Sequence, residues 1–247
     1  EISEYNLSER IYLMPNLSYI EKVWITFQLL EAVNNLSSLN LVHGDLKPGN
    51  ILLTSNLSVY LSDFATYKKA YIYIDDIASY TYYYGSNNSA DKGGCYLAPE
   101  RLIERGEKRD DNKSEPMDVF SLGVIIAELF IEKNLFNFSS LLNYKKGNNE
   151  LVDVDKILLE IENEKIRKLI YDMIKIAPEE RINISDAFNY FLNDFTKECS
   201  IISDAFFGFT ETTNECLNCK KNYISQYLKN PICYNFGIFN CLIFPLE

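Results

Sequence analysis

An ordered series of polar residues constrains this chain more than any bulk property does. His43, Asp45, Lys47 and Asn50 stand as H-x-D-x-K-x-x-N inside the stretch LVHGDLKPGNILL. Thirteen positions after Asn50 comes Asp63-Phe64, then Ala98-Pro99-Glu100, then D-x-x-S-x-G from Asp118 to Gly123. Residues 51–53 and 58–62 are short apolar stretches on either side of a polar turn, the pattern of a β-hairpin. Such a hairpin folds Asp63 back toward Asn50, so the polar residues on its two sides converge.

The rest of the chain supplies helices to carry these groups. Over residues 18–39, Ser18 and Glu21 form a capping box, and Ile20, Val23, Phe27, Leu30 and Val33 recur at steps of three and four. Residues 116–131 are apolar nearly all round, which predicts a helix buried at the centre. Residues 164–175 put Ile166, Leu169, Ile170 and Met173 on one face, and residues 183–195 do the same with Ile184, Ala187, Phe188, Phe191, Leu192 and Phe195. Residues 66–95 are rich in Tyr, Ser, Asn and Gly without a steady period and predict a long loop. The expected fold class is mainly α with one small hairpin. Beyond residue 197 the pattern degrades, so residues 1–197 are read as one domain and 198–247 as an apolar, cysteine-containing tail.

The clustered residues fit one kind of chemistry. Phosphoryl transfer needs a carboxylate to orient the attacking hydroxyl, oxygen ligands for Mg²⁺ and cations for the phosphates. Asp45 suits the first role and Lys47 reaches a transferring phosphoryl group. Asn50 and Asp63 offer the hard oxygen donors that Mg²⁺ prefers. His43, the only histidine, sits between Val42 and Gly44 and is read as bracing the loop backbone rather than exchanging protons.

This ordered set matches the protein-kinase signature, and the chain resembles the C-terminal lobe of a eukaryotic protein kinase. The resemblance implies ATP or GTP with Mg as cofactors. It also implies that Ala98-Pro99-Glu100 closes an activation segment, that Arg181 pairs with Glu100, and that Asp118 holds the catalytic-loop backbone. HGD in place of HRD, ILLTSNLSVYLSDFA, CYLAPERL, MDVFSLGVIIAELF and SLLNYKKG narrow it further. Together they resemble the protein-kinase-like regulatory subunit of class III phosphatidylinositol 3-kinase. That likeness implies a partnership with the lipid kinase catalytic subunit, attachment at the periphery of endosomal and vacuolar membranes, and a part in vacuolar sorting and autophagy.

Several positions depart from an active kinase. No glycine precedes Gly44, and Lys22, the only lysine among the first forty residues, falls within a helix. The Gly-rich loop, the strand lysine and its glutamate partner are therefore expected to be absent from this chain, and with them the N-lobe. Gly44 replaces the arginine that answers an activation-loop phosphate. Ala65 follows Asp63-Phe64 where glycine is usual, and Gly93 stands where a hydroxyl would bridge the catalytic Asp and Lys. Transfer rests on positioning and electrostatics, so the chain alone is expected to lack kinase activity.

Charge and cysteines narrow the setting. A net charge of −11 disfavours a polyanionic partner, so no nucleic-acid binding is expected. Six scattered cysteines read as reduced cytosolic thiols, and Cys216-x-x-Cys219 lacks the second pair a zinc site needs. No signal-peptide pattern or membrane-length apolar run occurs, which points to the cytoplasm. NLS recurs at 6–8, 16–18, 35–37 and 56–58 with irregular spacing and is read as composition, not as a repeat.

Overall fold

The computed structural model describes residues 5–14, 16–65, 68–84, 93–107, 112–147 and 153–195. The chain enters on strand β1 (Tyr5–Asn6) and turns directly into helix α1 (Leu7–Tyr12). Asn6 drives that turn: its side chain accepts the Glu9 N–H while the Glu9 carboxylate accepts the Asn6 N–H, satisfying two otherwise orphaned donors. Helix α2 (Tyr19–Ser38) starts on the same device, with Ser18 and Glu21 exchanging bonds. Two of the recurrent NLS triplets thus serve as helix starts.

The hairpin forms as the pattern requires. β2 (Ile51–Leu53) and β3 (Val59–Leu61) pair antiparallel, with Ile51 opposite Leu61 and Leu53 opposite Val59. β1 adds to the other edge of β2, giving sheet order β1-β2-β3. Gln28 of α2 pins the turn: its amide donates to the Leu57 carbonyl at 2.8 Å and accepts the Val59 N–H at 3.1 Å.

The expected loop over 66–95 needs correction. It holds β4 (Ile72–Tyr73) and α3 (Ile77–Tyr84), while residues 66, 67 and 85–92 lie outside the described residues. The helix is secured at its start by Asp76, whose carboxylate accepts the Ser79 N–H at 2.9 Å and the Ser79 hydroxyl at 2.7 Å. Of its residues only Tyr84 is buried, so no apolar period marks it in the sequence. β4 pairs in parallel with β5 (Leu102–Ile103), joining the segment to the chain that follows Glu100.

Helix α4 (Glu115–Ile131) runs through the core, with Met117 to Leu129 all buried. Its Gly123 allows a close approach: a Cβ there would lie 2.8 Å from both the Met173 Cβ and the Ile174 Cγ2. Around it stand α5 (Phe138–Lys145), α6 (Val154–Leu158), α7 (Glu164–Met173) and α8 (Ile184–Phe195). α4 lies against α7 and α2, and α2 lies against α8. The fold is mainly α with short strands. Cys95 is buried, while the other five cysteines and the whole tail lie outside the described residues. Among the described residues, no helix is long and apolar enough to cross a membrane.

Candidate active site

The loop between α2 and β2 is held from below by α4. Asp118 sits in the first turn of that helix, and its carboxylate accepts the His43 N–H at 2.6 Å and the Gly44 N–H at 2.9 Å. Burial pushes its carboxyl up to about 6 against the opposing pull of these two donors.

His43 ties the same loop to the segment after the hairpin. Its Nε2 lies 2.9 Å from the Ser62 carbonyl, its Nδ1 accepts the Asp45 N–H at 3.3 Å, and its ring lies 4.5 Å from that of Phe64. This pattern needs the neutral tautomer protonated on Nε2. Burial agrees with it, lowering the imidazole to about 4.

Backbone bonds complete the join. The Ser62 N–H donates to the Asn50 carbonyl at 2.9 Å, and the Ala65 N–H donates to the His43 carbonyl at 3.0 Å. Asp63 lies between these two ties, exposed, on a left-handed backbone with φ 58°.

Pro48 opens a single 3-10 turn (Pro48–Asn50) that swings Asn50 under Asp45. The Asn50 amide nitrogen donates to the Asp45 carbonyl at 2.8 Å and to its Oδ2 at 3.0 Å. Both bonds use nitrogen, and among the described residues no hydrogen bond engages the amide oxygen, which is the atom that could meet a cation. Lys47 Nζ stands 3.8 Å from the same Oδ2. Asp45 and Asn50, both buried, and half-buried Lys47 thus form one cluster, with Asp63 beside it on tied backbone.

Glu100 and Arg181 meet elsewhere, as a two-pronged pair at 2.9 and 3.0 Å. Arg181 also donates to the carbonyls of Pro116, Lys175 and Ile176 and lies over the Phe120 ring.

Comparison with known proteins shows the family that carries this arrangement. The protein kinase domain model matches residues 7–192. The chain belongs to the protein kinase family. Its relatives include the serine/threonine-protein kinase VPS15 of Arabidopsis thaliana, 39% identical over 73% of this chain and 12% of the relative. The probable serine/threonine-protein kinase vps15 of Dictyostelium discoideum is 41% identical over 71% and 9%. The VPS15 kinase of Saccharomyces cerevisiae is 34% identical over 98% and 18%. The chain spans less than a fifth of the length of each of these relatives.

Three further cations of the kinase domain, none singled out from the sequence, complete the site. Lys68 Nζ lies 2.5 Å from Asp45 Oδ2. Arg101 is buried and donates to the carbonyls of Gly44 at 2.9 Å, Ala70 at 2.8 Å and Lys69 at 3.2 Å, and to the Tyr84 hydroxyl. Lys113 donates to the Ala65 carbonyl, and its alkyl chain crosses Gly44 so closely that a Cβ there would lie 2.3 Å from the Lys113 Cδ. Gly44 also has φ 74°. The glycine that replaces the usual arginine therefore leaves a path through which another cation reaches the same backbone. Arg101 was findable, since it directly follows Ala98-Pro99-Glu100. Lys68 and Lys113 carry no local signal. Lys22, in α2, pairs with Glu132 at 2.7 Å on the far side of the domain.

Proposed function

We propose that this kinase domain belongs to a protein-kinase-like regulatory subunit of the class III phosphatidylinositol 3-kinase complex, acting in vacuolar and endosomal sorting and in autophagy. The similarity to VPS15 kinases of a plant, an amoeba and a yeast, spread over most of the chain, carries this reading. In it, residues 1–197 form the helical lobe that bears the catalytic loop and activation segment, and residues 198–247 are a tail. The partner is the lipid kinase catalytic subunit, through which the protein sits at the periphery of endosomal or vacuolar membranes.

In the same reading Asp45 orients an acceptor hydroxyl, and Lys47 offers a positive charge to the transferring group. Asn50 and Asp63 hold Mg²⁺ of ATP or GTP, and the metal supplies neutralisation of phosphate charge. An amide oxygen and one carboxylate suit Mg²⁺, which keeps waters and phosphate oxygens in the rest of its shell. His43, Asp118, Glu100 and Arg181 are structural. Transfer is retained only when an N-lobe supplies the phosphate clamp.

A catalytically dead scaffold that docks the lipid kinase is the second reading. The missing hydroxyl at Gly93 favours it. Two measurements separate the readings. Co-purification with the lipid kinase catalytic subunit, with and without nucleotide, tests the partnership, and its loss in both conditions overturns the proposal. Melting with Mg-ATP or Mg-GTP tests nucleotide use: a bound nucleotide at 100 times its Kd stabilises by about 2.7 kcal/mol. Co-purification without any thermal shift selects the scaffold.

A further inference from the structure

We propose that Lys68 is a positioning residue that clamps Asp45, doing from the activation segment what Gly93 has no side chain to do. The inference rests on the reading of Asp45 as the carboxylate that orients the acceptor hydroxyl. In that reading a kinase must hold the carboxylate in one rotation so that one oxygen faces the acceptor. The usual bridging hydroxyl is absent here.

Lys68 lies five positions after Asp63, with its side chain only 10% exposed. Its Nζ is 2.5 Å from Asp45 Oδ2, much nearer than Lys47 at 3.8 Å. The ammonium also lies over the Tyr84 ring of α3, 5.1 Å from its centre. Tyr84 is itself fixed, donating its hydroxyl to the Lys69 carbonyl at 2.5 Å and lying against the Arg101 guanidinium at 4.8 Å. Arg101 in turn is bonded to the Gly44 carbonyl of the catalytic loop. The seat of Lys68 is thus built from both segments at once.

The pattern on Asp45 is one-sided. Lys68, Lys47 and Asn50 all approach Oδ2, and among the described residues no hydrogen bond or ion pair reaches Oδ1. Charge-assisted bonds on one oxygen stop the carboxylate from rotating and leave the other as an acceptor for a substrate hydroxyl. Asp45 also lines a small cavity together with Lys47, Tyr84 and Arg101, the last two of which support the seat of Lys68. The acceptor side of the site therefore depends on a residue of the activation segment, not only on the catalytic loop.

Amine acylation of the folded full chain, read lysine by lysine by mass spectrometry, tests the clamp without requiring any kinase activity. Lys68 is expected to react about tenfold more slowly than exposed Lys146, and Asp45→Asn to remove most of that protection while leaving Lys146 unchanged. In Lys68→Met, Lys47 becomes the nearest cation to Oδ2 and its own acylation slows about threefold, whereas Lys68→Arg keeps the wild-type Lys47 rate. Protection of Lys68 that survives Asp45→Asn would mean burial alone and would overturn the clamp. A Lys47 rate that is the same in Lys68→Met, Lys68→Arg and wild type would overturn it as well. The clamp and the kinase reading fail separately: absence of any Mg-nucleotide thermal shift counts against the kinase reading, while Asp45-dependent protection stands on its own.

Discussion

Two carboxylates of this domain are each held by cations, and they are held in opposite ways. Glu100 meets the guanidinium of Arg181 along both oxygens, and that guanidinium is locked by three backbone carbonyls and an aromatic ring. Asp45 meets two lysines on one oxygen only. A planar fork fixes distance and orientation together, whereas an ammonium is a point charge on a flexible stem. The first arrangement suits a joint that must never move. The second holds one oxygen and, among the described residues, leaves the other unbonded.

Breaking the joint should have the largest effect. Arg181→Ala leaves Glu100, its side chain only 9% exposed, uncompensated, and is expected to cost about 3 kcal/mol in urea unfolding. Arg181→Lys should recover less than half, because a lysine cannot span both oxygens. Near-complete recovery would erase the distinction between fork and point charge.

A third carboxylate sharpens the contrast by having no cation paired with it among the described residues. Glu31 of α2 is buried, no salt bridge pairs with it among the described residues, and burial alone raises its carboxyl to about 7. The folded state then binds more protons than the unfolded one between about 4.5 and about 7. Stability from this group is full below that span and is lost as pH rises through it, by up to about 3 kcal/mol. Glu31→Gln should flatten the stability profile over that interval. An unchanged slope would place the titration elsewhere.

The next effect concerns the glycine between the two regions. Gly44→Ala adds a left-handed penalty and displaces Lys113, together about 2 kcal/mol. Lys113→Ala alone should cost about 1 kcal/mol. The double variant should match Gly44→Ala, since a Cβ at position 44 has already expelled the lysine; simple additivity in unfolding midpoints would contradict that.

The smallest effect belongs to the clamp. Lys68→Met should cost about 1 kcal/mol, because Lys47 and the Asn50 amide remain on Asp45 and keep its charge compensated. A loss rivalling that of Arg181→Ala would make Lys68 a structural joint as well.

Much of the scaffold was legible in the sequence, for identifiable reasons. Ser18 and Glu21 announced α2, the unbroken apolar run announced α4, and the residues flanking the 54–58 turn announced the hairpin. α1 had an equally good capping pair in Asn6 and Glu9, but six residues are too few to show a period. α3 was missed because it buries almost nothing and is nucleated by Asp76 and Ser79 within a tyrosine-rich stretch. Strands of two residues, such as β4 and β5, leave no pattern to read. Within the site, the residues in the ordered series were visible because their spacing is fixed. Lys68 and Lys113 were not, since each acts across a contact that only the folded chain brings together.

Helix α4 has one more consequence. Asp118 near its start holds the loop at His43 and Gly44, Ser121 one turn on donates to the Tyr96 carbonyl at 2.6 Å, and Glu128 accepts the hydroxyls of Tyr96 and Tyr12 and the Leu135 N–H. One rigid rod thus carries the anchor of the loop that bears Asp45 and the anchors of the chain entering Ala98-Pro99-Glu100. It works as a ruler: ten residues separate Asp118 from Glu128, about 15 Å of helix. It works equally as a dial, because each residue turns the rod by about 100°. A single inserted residue between those marks would leave the composition of the helix almost untouched and still point Glu128 away from both tyrosines. The phase of this helix, as much as the identity of its side chains, sets how the two halves of the site face each other.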